Sequence, residues 1–143
     1  SFKLIILRLF NVYGASQSGS FIIPLILKSI KEDKKLVINN PISKRDFLYI
    51  DDCIKVLYKS IYLPNNNYIF DVGTGQGTKV KELVLLISSI LKINTEKNII
   101  IPKLNLGIAN AIIANTSHLK INFPDLEFLT IKEGLKLFLT KNN

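Results

Sequence analysis

The chain has 143 residues, 48% of them hydrophobic and 21% charged, with a net charge of +8 and one cysteine. That is one domain's worth of chain with enough apolar content for a sizeable core, which excludes a disordered segment. Cys53 alone excludes an internal disulfide framework and a cysteine zinc site, and the longest wholly apolar run, 21–27, is far too short for a membrane span.

No charged leader with a cleavage site is visible, so a cytoplasmic protein with no membrane partner is expected. The positive charge invites a nucleic-acid reading, but the distribution argues against it. Seventeen of the nineteen basic residues are Lys, ten of the nineteen fall in residues 1–60, and no element carries a stripe of them. Arg is the favoured reader of base edges, so no nucleic-acid partner is expected; the charge suits a phosphorylated small molecule instead.

Residues 3–10 form an apolar run broken only by Arg8, which predicts a strand buried on both faces as in parallel sheets. A loop of small residues over 14–20 precedes a helix over 21–32, in which Pro24 is tolerated in the first turn. A short strand over 36–38, a turn at Asn39, Asn40 and Pro41, and an extended stretch over 46–50 follow. Asp51 or Asp52 is positioned to cap the next helix, with Ile54, Leu57, Tyr58 and Ile61 on one face.

A second buried strand is predicted over 68–72 and is followed by a Gly-rich turn. Thr78 is placed to cap a helix over 79–92 whose Val80, Leu83, Val84, Ile87 and Leu91 line one side. A strand over 98–101 and a short helix over 117–121, headed by Thr116, come next. Thr130 and Glu133 make a capping box for a last helix with Ile131, Leu135, Phe138 and Leu139 as its buried stripe. Alternating strands and helices indicate α/β. Two fully buried strands need neighbours that the chain does not supply, which points to a missing partner segment.

Three stretches carry chemistry. Arg-Leu-Phe-Asn-Val-Tyr-Gly at 8–14 ends a strand in polar groups, at the sheet edge where open α/β sheets bind ligands. Asn11 there is either a ligand contact or a turn former. Arg-Asp-Phe-Leu-Tyr-Ile-Asp-Asp at 45–52 spends one of only two arginines, which suits bidentate phosphate recognition; the plain alternative is a surface pair with Asp46 or Asp51. Phe-Asp-Val-Gly-Thr-Gly at 70–75 is a strand and Gly-rich turn that looks like the first motif of S-adenosylmethionine methyltransferases. Against that, no acidic residue ends the next strand to hold a ribose, and the spacing is not a dinucleotide fingerprint because residue 78 is Thr. His118 reads as a solvated surface residue and Cys53 as a small core residue.

In this order the three stretches resemble the second half of the extended short-chain dehydrogenase/reductases, the NAD-dependent nucleotide-sugar epimerases and dehydratases. The resemblance spans nearly the whole chain. It implies the C-terminal part of a Rossmann-type parallel sheet, with its last strands around 3–10 and 68–72, plus a small α/β substrate-binding domain from segments around 14–50 and 95–143. The N-terminal cofactor-binding half is absent. It also implies that Arg45 grips the diphosphate of a nucleotide-diphosphate sugar and that Asn11 contacts the same substrate. Ile22, Leu36 and Ile38 then flank the base, and Leu9, Phe10, Val12 and Tyr13 pass near the nicotinamide of NAD or NADP. Asp46 orients its loop, Asp52 caps a helix, and Arg8 makes structural hydrogen bonds.

The sequence departs from the family pattern in places. Asn39-Asn40-Pro41 replaces a Gly-containing turn, Ile38 stands where an aromatic is common, and Asn115 replaces an Asp. A second Arg clamp is replaced at Asn105 and Ile108, where Lys103 is the nearest substitute. Family chemistry uses a Tyr whose pKa is lowered by a Lys four residues on. None of the five tyrosines has one, so no catalytic residue and no metal ligand is assigned, and the chain is expected to be inactive alone. Its expected partners are the missing half, the nucleotide sugar and, for the full-length protein, a second copy. Two alternatives stand beside this reading: a non-catalytic binding or assembly domain of the same fold, and a methyltransferase.

Overall fold

The structure, a computed structural model, describes residues 2–102 and 110–141. Strand β1 (Ile5–Leu9) pairs in parallel with β6 (Tyr68–Val72), in the register Ile5 to Tyr68 through Leu9 to Val72. The chain then changes partner. Phe10 N–H still donates to Val72 O at 3.0 Å, but Asn11 N–H donates to Asp46 O at 3.1 Å. From there β2 (Asn11–Tyr13) runs parallel to β5 (Phe47–Tyr49).

A similar switch happens at Asp46. The residues before it form β4 (Lys44–Arg45), the centre of a three-stranded sheet. There β4 pairs antiparallel with β7 (Thr78–Lys79) and parallel with β9 (Ala111–Ile112). A fourth sheet joins β3 (Leu36–Val37) to β8 (Ile99–Ile100) in parallel. The first switch lies at a strand end, where open α/β sheets place their sites.

Five helices cover these strands: α1 (Ile22–Lys31), α2 (Ile50–Ile61), α3 (Val80–Leu91), α4 (Ser117–Asn122) and α5 (Ile131–Lys141). Pro24 sits at the third position of α1, where it interrupts no helical bond. The main core joins Ile23 and Ile26 of α1, Leu83 and Ile87 of α3, and Leu135 and Leu139 of α5. A smaller core packs Leu48, Cys53, Val56, Phe70, Val72 and Leu119. The stripes foreseen on α3 and α5 are therefore buried, and Thr130 and Glu133 form the foreseen box. Thr130 N–H and Oγ1–H donate to Glu133 Oε2 at 2.8 and 2.7 Å, and Glu133 N–H donates back to Thr130 Oγ1 at 3.3 Å.

Three expectations need correction. Strand β1 is not buried on both faces: Ile6 and Leu9 are 42% and 50% exposed, because β6 is its only neighbour among the described residues. The apolar stripe of α2 also faces out. Ile54, Leu57, Tyr58 and Ile61 are exposed, while Asp52, Cys53, Val56 and Ser60 face in. And neither Asp51 nor Asp52 is the cap of α2, nor Thr78 that of α3. The cap positions are Tyr49 and Lys79. Asp52 instead accepts from Leu129 N–H at 2.8 Å, tying the chain before α5 to α2, and Thr78 is held in β7 opposite Arg45. Among the described residues no helix is long and apolar enough to cross a membrane.

Candidate functional site

The three motifs meet at one residue. Asp46 is fully buried. Its Oδ1 accepts from Thr74 N–H at 2.9 Å and Thr74 Oγ1–H at 2.6 Å; its Oδ2 accepts from Gly75 N–H at 2.9 Å and Ala114 N–H at 3.2 Å. Its carbonyl oxygen accepts from Asn11 twice, from the backbone N–H and from Nδ2 at 3.0 Å. Four neutral donors solvate the carboxylate in place of water, which is what a buried charge requires.

The Gly-rich turn is shaped for this contact. A Cβ on Gly73 would stand 2.6 Å from Asp46 Oδ2 and from the Ala114 Cβ, and Gly75 has φ +77°. The turn thus spends its N–H donors on Asp46 and not on a cofactor, which removes the physical basis of the methyltransferase reading. Asp46 does orient its loop, as the resemblance implies.

Around the first partner switch lies an open hollow of about 440 Å³. It is lined by Leu9, Phe10, Asn11 and Val12 from the strands, Phe21 at the head of α1, and Ile112 of β9. A separate narrow pit of about 30 Å³ shares Asn11, Val12 and Phe21 with it and is also lined by Tyr13, Gln17 and Ile22. Six of the nine candidate site residues therefore line one or other of these two hollows. Tyr13 contributes mostly structure there. Its ring is 2% exposed and packs 5.6 Å from Tyr49 and 6.4 Å from Phe138. Burial pushes its phenol far up from the ordinary value, and interactions with Asp52 and Tyr49 add to that.

The remaining three lie elsewhere. Ile38 is a core side chain, 5% exposed. Leu36 lines a separate hollow of about 200 Å³ beside the last turn of α1. Arg45 precedes Asp46, and its register partner is Ile112, which lines the main hollow. No described cavity is lined by both Arg45 and Asn11. None of the ion pairs among the described residues involves Arg45. Its Nη1 instead donates to Ser43 Oγ, to Lys44 O at 2.8 Å and to Asn110 Oδ1 at 2.8 Å. Lys103, Asn105 and Ile108 lie outside the described residues.

Arg8 pairs across the sheet with Asp71, Nε to Oδ1 at 2.6 Å, a structural role as foreseen. Cys53 is a free core thiol whose pKa burial pushes up. His118 is exposed, yet its Nδ1 lies 2.8 Å from Ile69 O and its ring packs on Phe70. Among the described residues no cluster of His, Cys, Asp or Glu suits a metal ion.

Sequence reasoning missed a second cavity, of about 270 Å³, between the turn at 74–78 and the segment at 126–131. Phe47 separates it from the pit, lining both. Ser43 and Asn110, the anchors of Arg45, were also missed. Ser43 lies two residues before Arg45, the one hint in the sequence, while Asn110 is 65 residues away.

Comparison with known proteins places this geometry. The chain is 29% identical to CDP-abequose synthase of Salmonella muenchen over 145 residues, covering 94% of the chain and 46% of that protein. It is 31% identical to GDP-6-deoxy-D-talose 4-dehydrogenase of Aggregatibacter actinomycetemcomitans over 86 residues, 59% of the chain and 29% of the relative. Its fold matches dTDP-glucose 4,6-dehydratase from Bacillus anthracis, solved in complex with NAD, with a TM-score of 0.82 at 22% identity, over 97% of the chain and 45% of that structure. UDP-glucose 4-epimerase from Thermotoga maritima, solved with UDP-glucose, gives 0.79 at 24% identity, over 95% and 44%. The chain spans less than half the length of the curated relatives it matches. Residues 1–73, which hold the first two motifs and the strand of the third, match the model of the NAD dependent epimerase/dehydratase family, and the chain belongs to that family.

Proposed function

We propose that this chain is the substrate-binding part of an NAD(P)-dependent nucleotide-sugar epimerase, dehydratase or reductase, and that it acts with an upstream cofactor-binding half. The observation that carries the reading is the junction at Asp46. Asp46, which directly follows Arg45, ties Asn11 and the Gly-rich turn together, with Asn11 lining the hollow. We assign the diphosphate sugar to Asn11 and Arg45 and the base side to Ile22 and Leu36, with Ile38 behind Leu36 in the core. Three of the relatives' names pair GDP or dTDP with a deoxy sugar and a fourth pairs CDP with abequose, which favours a nucleotide-linked sugar as substrate.

Leu9, Phe10 and Val12, backed by the buried Tyr13, present a mostly apolar wall that fits the flat nicotinamide end of NAD or NADP. When bound, that cofactor exchanges hydride with a sugar carbon. The chain's one Gly-rich turn is committed to Asp46, so the cofactor's phosphates need donors from the upstream half. That half also supplies the Tyr and Lys for proton transfer, since none of the five tyrosines of this chain has a Lys four residues on. A cytoplasmic setting and a homodimer of the full-length protein complete the proposal.

Titration of the protein with CDP-, GDP-, UDP- and dTDP-hexoses by calorimetry tests it. Arg45→Ala should weaken binding about tenfold or more, the loss of a charged hydrogen bond to phosphate. Unchanged affinity for all four sugars overturns the assignment. A non-catalytic assembly domain would bind a protein partner and none of the four.

A further inference from the structure

We infer that Ser43 and Asn110 are positioning residues: they fix the guanidinium of Arg45 by a single nitrogen and keep its Nε–Nη2 edge for an incoming diphosphate. The inference rests on the proposed role of Arg45. Among the described residues the three side-chain hydrogen bonds of Arg45 all run from Nη1, to Ser43 Oγ, Lys44 O and Asn110 Oδ1. The three acceptors are themselves locked together. Ser43 Oγ–H donates to Asn110 Oδ1 at 2.5 Å, and Lys44 N–H donates to Asn110 O at 2.9 Å. Ser43 is 2% exposed, so the anchor stands on buried structure.

A guanidinium offers phosphate two side-by-side donors. Among the described residues Nε and Nη2 meet no acceptor, and the adjacent carboxylate of Asp46 is turned away to Thr74, Gly75 and Ala114. Arg45 is tethered at one corner, half-buried, beside the strand residue Ile112 that lines the hollow. Preorganising the side chain in this way removes rotamer entropy that binding would otherwise cost.

The chain's two arginines make the test direct, because each has one Nε–Hε resonance. Arg8, paired with Asp71, is the internal control. Titrating the protein with CDP, GDP, UDP and dTDP should shift the Arg45 signal saturably with at least one of them and leave Arg8 in place. Asn110→Ala should weaken that nucleotide about fivefold. In an Arg45→Ala background the same substitution should have no effect, and Asn110→Ser, which keeps an acceptor, should recover part of the loss. Ser43→Ala should act in the same direction; exposed Asn110 carries the test if the buried serine variant fails to fold. The inference is overturned if Asn110→Ala binds as the parent does, or if its loss persists undiminished without Arg45. Failure of the underlying reading looks different: no diphosphate moves the Arg45 signal, and Arg45→Ala binds each nucleotide as the parent does.

Discussion

Asp46 shows how one side chain can be both buried and charged. Every lone-pair direction it uses meets an N–H or O–H from the turn at 74–75 or from Ala114, and no water is needed. Removing it strands donors that have nowhere else to go. We expect Asp46→Ala to cost about 3 kcal/mol or more in urea unfolding, because each orphaned buried donor costs about 1–3 kcal/mol. Asp46→Asn should recover little. Whichever way its amide turns, the NH₂ group faces two donors, since both carboxylate oxygens accept twice. Near-complete rescue by Asn would show that the carboxylate's charge and second acceptor are dispensable. Gly73 belongs to the same unit, because a methyl there meets both Asp46 and Ala114.

The helices show which parts of the sequence were legible and why. Local rules succeeded where the partners were local. The Thr130–Glu133 box closes within one turn, and the α3 and α5 stripes follow helical periodicity into the core. They failed where a distant group competed. Asp52 sits three residues into α2, but the Leu129 N–H 77 residues away claims its carboxylate. Thr78 is drawn into β7 by pairing with β4, so the helix starts at Val80 with Lys79 as cap and Glu82 Oε2 accepting from Lys79 N–H at 3.1 Å. The site was legible as three motifs, yet nothing local says that they converge on Asp46, or that Asn110 completes Arg45. Those contacts span 28 to 68 residues of chain.

The box also makes a pH prediction. Hydrogen bonds from Thr130, side chain first and then backbone, hold the Glu133 carboxyl below the ordinary value of 4.5. A carboxylate whose folded pKa is lowered stabilises the fold above its ordinary value, and that contribution is lost as pH falls through the lowered one. Thr130→Ala should therefore lower Tm at neutral pH and make Tm less steep between about pH 5 and pH 3. An unchanged slope would mean that the box is not what shifts Glu133.

At the scale of the whole molecule, two apolar surfaces lack cover among the described residues. One is the free edge of β1, with Leu4, Ile6 and Leu9 exposed; the other is the outward stripe of α2, with Ile54, Leu57, Tyr58 and Ile61. They belong to one structural unit, since Lys3 Nζ donates to Ile61 O at 2.9 Å and to Leu63 O at 3.0 Å, joining the entry to β1 with the end of α2. A parallel strand added at the β1 edge would be followed by a right-handed crossover, and its helix would lie on the face that α2 already occupies. Such a strand and helix would cover both surfaces at once, which a second copy docking on either alone would not. Without that cover, an open strand edge and a contiguous apolar patch promote self-association. We expect light scattering of the 143-residue chain to show association that increases with concentration. Ile6→Lys with Ile61→Lys should shift it toward monomer while leaving the far-ultraviolet circular dichroism unchanged. In the full-length protein the same pair should instead destabilise the fold, because each lysine would then be forced into a buried contact. A parent chain that is monodisperse at high concentration would show that these surfaces need no partner, and the two-half proposal would lose its physical support.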